Sequence, residues 1–148
     1  MTAIHHMSAT ALSEVIASGS ISCVETMQAF LTQIEATNPA VNALINLDPP
    51  EHCLALAVKA DEALRAGQRK GWLHGMPIAI KDLAHAGDFQ TTFGSRIFES
   101  FIATEDDPHV ARIRAAGAII IGKTNVPEWG LGGHTQNSLH GLTRNALD

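Results

Sequence analysis

Apolar residues recur at helical spacing in three stretches of the first 66 residues. Between Ser8 and Ser18, Leu12, Val15 and Ile16 share a face, and Gly19 follows as a C-terminal stop. From about Cys23 to Ala36, Val24, Met27, Leu31 and Ile34 make an apolar stripe. Ser22 and Glu25 stand at capping-box spacing before it, each able to satisfy a free backbone N–H of the first turn. Asn38-Pro39 is expected to end this helix, because a residue before proline avoids the helical region. A third helix is predicted from about Glu51 to Ala66, with Cys53, Ala57, Ala60 and Leu64 on one face and Gly67 after it. Between the second and third helices, 41–47 predicts a short strand with Ala43 and Ile45 in phase, broken by Asp48-Pro49-Pro50.

The pattern then changes. Gly75 to Leu83 reads as a short buried strand that ends on a lysine. Pro77 suits a strand start, since it has no N–H for the ladder. Ile78 and Ile80 alternate with Ala79 and Lys81. From Ala84 to Thr104 no period emerges, and Thr91-Thr92-Phe93-Gly94-Ser95 reads as a loop with a glycine turn. Asp107-Pro108 is a helix start, with Val110, Ile113 and Ala116 inward and Gly117 as the stop. Ala118 to Ile121 is apolar on both faces, as in a buried parallel strand. Pro127 predicts a short helix with Asn125 or Thr124 before it, and 134–148 is polar and turn-like. Helices alternating with buried strands predict an α/β fold, a sheet covered by helices, and the length of 148 residues suits one domain.

Composition narrows the function classes. The chain is 45% apolar and 17% charged, ordinary for a globular domain. A net charge of −5 without a basic cluster argues against nucleic-acid binding. The longest apolar run is far too short to span a bilayer, and the N-terminus has no basic segment followed by an apolar core, so no membrane or secretory role is expected. Cys23 and Cys53 are isolated within apolar patterns and read as reduced core thiols, which with the foregoing places the protein in the cytoplasm.

Three features carry candidate chemistry. An ammonium at the end of an apolar strand is costly unless paired, solvated or neutral, so Lys81 is either a strand-end lysine reaching water or Asp82, or a catalytic lysine with a lowered pKa. Gly117 to Thr124 matches the G-x-x-x-x-G-K-[ST] expression of phosphate loops. The mechanism does not match: the four intervening residues, Ala-Ile-Ile-Ile, favour strand, whereas a phosphate loop must curl its N–H groups inward. A nucleotide-binding module is therefore the lesser alternative, and Lys123 reads as a residue that follows a buried strand. The eight histidines include no H-E-x-x-H pair. His134 and His140 flank one polar loop, but no metal or cofactor site is assigned.

Several of these segments together resemble the amidase signature family. Gly75-Met76-Pro77-Ile78-Ala79-Ile80-Lys81-Asp82 is similar to its lysine motif, and Thr91 to Ser95 to the glycine turn after it. Asp107 to Val110 with Arg112 to Ala118 resembles its helix-to-strand unit. Gly122-Lys123-Thr124-Asn125-Val126-Pro127-Glu128-Trp129-Gly130 and 137–145 follow in the same order, and the two N-terminal helices resemble its opening. Gly-Leu-Gly-Gly-His-Thr-Gln-Asn is closer in wording to bacterial acylamide amidases than to the amidotransferases that work on tRNA.

The resemblance implies a mixed sheet covered by helices, of which residues 1–148 form the N-terminal part of a single amidase domain. It implies hydrolysis of carboxamide C–N bonds by a Ser–Ser–Lys triad, on a small-molecule amide and without a cofactor. Lys81 matches the catalytic lysine, and an apolar enclosure would lower its pKa toward neutrality. The Gly/Ser-rich segment with both serines is expected after Arg144-Asn145, beyond Asp148. Ser95, Ser100 and Ser138 lack the flanking glycines of that segment. The 148-residue chain alone is then expected to be inactive, the alternative being a non-catalytic remnant or interaction module of the same fold. The roles of Asn125, Asn137, Thr143 and Arg144 are left open, with turn and capping chemistry expected ahead of substrate contact. Substrate and oligomeric state are left open.

Overall fold

The structure, a computed structural model, describes residues 3–147. Its helices are α1 (Ala9–Ala17), α2 (Cys23–Val41), α3 (Pro50–Arg65) and α4 (Pro108–Ala115). Its strands are β1 (Leu44–Ile45), β2 (Pro77–Lys81), β3 (Ile119–Thr124), β4 (Gln136–Asn137) and β5 (Gly141–Leu142). This is the mixed α/β arrangement that the pattern predicts. The described chain falls into two compact units. One gathers the residues up to Ala36, Asp48–Ile78 and Arg112–Ile121; the other gathers Thr37–Leu47, Ala79–Ala111 and the residues from Gly122 on.

In the first unit, α1 buries Leu12 and Ile16 and leaves Val15 half-buried. Ser8 caps α1 by accepting the Ala11 N–H at 3.2 Å. The capping box of α2 closes as its spacing requires: Glu25 Oε2 accepts the Ser22 N–H at 2.8 Å, and Ser22 Oγ accepts the Glu25 N–H at 3.0 Å. The buried positions of α2 are Cys23, Thr26 and Met27, with Leu31 and Ile34 half-buried. Cys53 and Ala57 are the buried residues of α3. Both cysteines are free and buried.

His74 anchors the entry to β2. It is 2% exposed, its Nδ1 accepts the Lys70 N–H at 3.2 Å, and its Nε2 faces the Ala60 carbonyl at 2.9 Å, so Nε2 carries the proton. Gly75 follows with φ +75°, and a Cβ there would lie 2.1 Å from Cys23 Sγ. Only glycine satisfies both the left-handed backbone and this close approach. Its N–H bonds the Gly117 carbonyl at 2.9 Å, and the Ile119 N–H bonds Met76 C=O at 2.9 Å, so β3 starts beside β2.

The order of strands in the three-stranded sheet is β1-β3-β2. Leu44 pairs Thr124 and Ile45 pairs Lys123 in antiparallel register. The Asp82 N–H reaches Thr124 C=O at 3.1 Å beyond the end of β2. With Ile119 bonded to Met76 and Asp82 to Thr124, β2 and β3 ascend together, parallel as expected. Beside them β4 and β5 form an antiparallel hairpin in the segment that reads as turn-like.

Four boundaries differ from the sequence reading. Helix α2 runs through Asn38-Pro39 to Val41. Proline in the last turn forfeits a single ladder bond, and past the helix end Asn38 Oδ1 accepts the N–H groups of Ala43 and Leu44 at 3.0 and 2.8 Å. Asn42, with φ +54°, is the left-handed residue that ends it. The 41–47 strand contracts to two residues in consequence. Strand β3 continues past Ile121 through Gly122 and Lys123 to Thr124. After Pro127 there is one short 3-10 turn, Glu128–Gly130, with Trp129 at φ +56° instead of a regular helix.

Candidate active site

Strand β2 delivers Lys81 at its C-terminal end, as the motif predicts. Lys81 is exposed, so the apolar enclosure expected around it is not formed by the described residues. The strand's burial falls on Pro77 and Ile80, and Lys81 comes where the ladder gives way to a turn. The Ala84 N–H closes that turn on the Lys81 carbonyl at 3.0 Å.

The buried lysine is Lys123. It is fully buried, as is Asp82, and its Nζ lies 3.2 Å from Asp82 Oδ1. It also donates to the Ala84 carbonyl at 2.8 Å and to Thr91 Oγ1 at 2.7 Å. An ammonium has three donors, and each has a partner here. Burial pulls the Lys123 pKa below its ordinary value, and Asp82 pulls it back up, with a smaller contribution from Asp107. We assign the charged form, because three acceptors converge on the nitrogen. This corrects the reading of Lys123 as a residue that merely follows a strand. It also removes the phosphate-loop alternative: the supposed loop is β3 itself, and its lysine is locked inside the fold.

Asp82 is satisfied from a second side. The Thr92 N–H lies 3.1 Å from both carboxylate oxygens, and Thr92 Oγ1 donates to Oδ2. With its proton engaged there, Thr92 Oγ1 accepts from the Gly94 N–H at 3.1 Å and from His140 Nε2 at 3.2 Å. The network thus assigns the Nε2–H tautomer to His140. Desolvation lowers the His140 pKa from its ordinary 6.5, with Asp82 and Glu99 opposing. His140 is seated by its own N–H on Asn137 Oδ1 at 2.7 Å.

Four further residues, Asn125, Asn137, Thr143 and Arg144, make turn and cap hydrogen bonds. Asn137 donates to Asn125 Oδ1 and to Val126 C=O, both at 2.8 Å. Asn125 donates to Thr143 Oγ1 at 3.0 Å, and Thr143 to Asn42 C=O at 2.6 Å. The Arg144 N–H bonds the Val41 carbonyl at 2.8 Å. Of the serines, Ser95 is 1% exposed with its hydroxyl on Glu128 Oε1 at 2.6 Å. Ser138 is exposed and contacts Arg96, and Ser100 is exposed. None of the three is bonded to Lys81 in the described structure. His134 is exposed, and the described residues bring no three His, Cys, Asp or Glu side chains together as a metal set. Burial, with Asp61 adding, pushes the Cys23 thiol up to about 12, and burial beside Asp48 pushes Cys53 up to about 11, so neither is an activated nucleophile.

Lys81 thus ends a parallel strand, Asp82 is buried beside it, and the Thr92–Gly94 turn is bonded to that acid. The chain belongs to the amidase family, whose model matches residues 25–148. Over 148 residues it is 40% identical to a glutamyl-tRNA(Gln) amidotransferase subunit of Chloroflexus aurantiacus, covering all of this chain and 30% of that protein. Over 142 residues it is 38% identical to an acylamidase of Rhodococcus erythropolis, covering 96% of this chain and 30% of that one. The peptide amidase of Stenotrophomonas maltophilia superposes with a TM-score of 0.84 at 31% identity, over 95% of this chain and 30% of that structure. The chain therefore spans about 30% of the length of the relatives it matches. The acylamidase and the amidotransferase stand at similar identity, so overall similarity does not repeat the preference carried by the 130–137 wording. No helix among the described residues is long and apolar enough to cross a membrane.

Proposed function

We propose that the protein is an amidase-type hydrolase of carboxamide C–N bonds and that Lys81 is its general base. The observation that carries this is Lys81 at the end of β2 in a chain of the amidase family. In the proposed cycle neutral Lys81 Nζ takes a proton from a bridging serine, which takes one from a second serine. That serine attacks the carbonyl carbon, the C–N bond breaks as the proton passes to the leaving nitrogen, and water hydrolyses the acyl ester by the same relay. Both serines are assigned to a segment beyond residue 148, which leaves the 148-residue chain inactive by itself and makes it the N-terminal part of one amidase domain. The substrate is a small-molecule amide and no cofactor takes part. A cytoplasmic setting goes with this reading, supported by two buried free thiols.

The test uses the product of the complete reading frame. Ammonia release is followed from a panel of simple primary carboxamides, with hydroxylamine added to trap the acyl group as a hydroxamate. Lys81→Ala is expected to lower kcat by at least about 10²–10⁴-fold, the ordinary contribution of a general base. Wild-type turnover in Lys81→Ala would overturn the assignment.

A further inference from the structure

The buried ion pair beside Lys81 has a geometry that general stabilisation does not require. Lys123 Nζ bonds the Asp82 carboxylate and the Ala84 carbonyl, at 3.2 and 2.8 Å. These are two points of the turn that begins at Lys81, whose own carbonyl accepts the Ala84 N–H at 3.0 Å. The backbone after Lys81 is also pinned from both neighbours: the Asp82 N–H bonds Thr124 C=O at 3.1 Å, and the Asp82 carbonyl accepts the Phe93 N–H at 3.2 Å. Thr92 completes the enclosure, giving Asp82 its N–H and its hydroxyl. Lys123, Asp82, Ala84 and Thr92 are all buried, while the Lys81 side chain is exposed. The fold therefore fixes the peptide that carries Lys81 and leaves the amine accessible.

We propose that Lys123, Asp82 and Thr92 form a positioning clamp for Lys81, setting where its amine stands rather than taking part in the proton transfers. The inference rests on the role proposed for Lys81. Proton transfer demands hydrogen-bond reach, and a displacement of about 1 Å is enough to lower a rate about 10²-fold. A turn held by one ammonium at the Asp82 carboxylate and the Ala84 carbonyl suppresses such displacements. Thr92 is the member to test, because its loss removes a hydroxyl from Asp82 without unpairing a buried charge.

The experiment compares Thr92→Val, Thr92→Ser and Lys81→Ala in the product of the complete reading frame. Turnover is expressed per folded molecule, at a temperature where every variant is native by circular dichroism. Thr92→Val is expected to lower kcat about tenfold or more with KM unchanged, since substrate contacts are untouched. Thr92→Ser, which keeps the hydroxyl, is expected to restore most of that loss. Wild-type kcat per folded molecule in Thr92→Val, with Lys81→Ala inactive, would overturn the clamp and leave the base assignment standing. Wild-type kcat in Lys81→Ala would overturn both. A Thr92→Ser variant as slow as Thr92→Val would also overturn the clamp, by assigning the effect to the threonine methyl.

Discussion

Replacing Lys123 by methionine removes the cation from a fully buried pair while keeping the length of the side chain. Asp82 then stays buried as a carboxylate with its cation gone, and the Ala84 carbonyl and Thr91 hydroxyl each lose their donor. Breaking a buried pair from one side costs about 3–5 kcal/mol, because the remaining charge is uncompensated. For a domain of this size each kcal/mol moves Tm by about 2–4 °C, so Lys123→Met is expected to lower Tm by about 6–20 °C. The assay is thermal and urea denaturation of the 148-residue chain, followed by circular dichroism and by the fluorescence of Trp72 and Trp129. The decisive comparison is the Asp82→Asn/Lys123→Met double variant, which has no buried charge and whose amide still accepts the Thr92 N–H. It is expected to be less destabilised than the sum of its single variants by about 0.5–3 kcal/mol, the coupling of two groups in one network. If Lys123→Met cost less than about 1 kcal/mol, or if the two changes were simply additive, Lys123 would not be a charged, paired lysine and the assignment of its charged form would fail.

Two smaller predictions come from positions outside the ion pair. Gly75→Ala places a methyl 2.1 Å from Cys23 Sγ on a backbone at φ +75°, and is expected to destabilise by roughly 2–6 kcal/mol from strain plus overpacking; Cys23→Ala in the same chain should relieve only part of it, since Cys23 Cβ is also within 2.8 Å, and equal stability of Gly75→Ala and wild type by urea midpoint would contradict this. His140 is held below its ordinary 6.5, so just below that pH the unfolded chain binds a proton that the native chain refuses, and native stability falls as pH drops through 6.5. His140→Gln should make the fall of unfolding free energy between about pH 6.5 and 5 shallower than in wild type, and an unchanged slope would count against a desolvated His140.

The helices of the first unit are legible because each is written twice, once in its apolar stripe and once in its ends. Ser22 and Glu25 announce α2 through a capping box that closes at 2.8 and 3.0 Å, and Cys53 and Ala57 are the residues that α3 buries. Ends written only by a breaker are less secure. Asn38-Pro39 reads as a stop, yet a proline in the last turn loses one bond and leaves the real terminator, Asn42 at φ +54°, a turn later.

The same contrast separates the two lysines. Lys81 is legible as a candidate because its strand and motif are local, whereas its exposure depends on what packs around the strand end. Lys123 is hidden in the sequence, because a lysine after Ile-Ile-Ile-Gly reads as the point where a strand meets water. Its partners, Asp82, Ala84 and Thr91, lie 32–41 residues earlier, and no periodicity links them to position 123. The structural signal is the ladder: β1 pairs with β3 as far as Thr124, so position 123 lies inside the sheet and not after it. A buried ladder position with an ammonium must have a carboxylate nearby. In sequence, Asp82 adjoins the candidate base and reads as a partner for Lys81. The structure gives it to Lys123 instead, which leaves the Lys81 amine unengaged by Asp82 and ties the strand that carries it to the strand beside it.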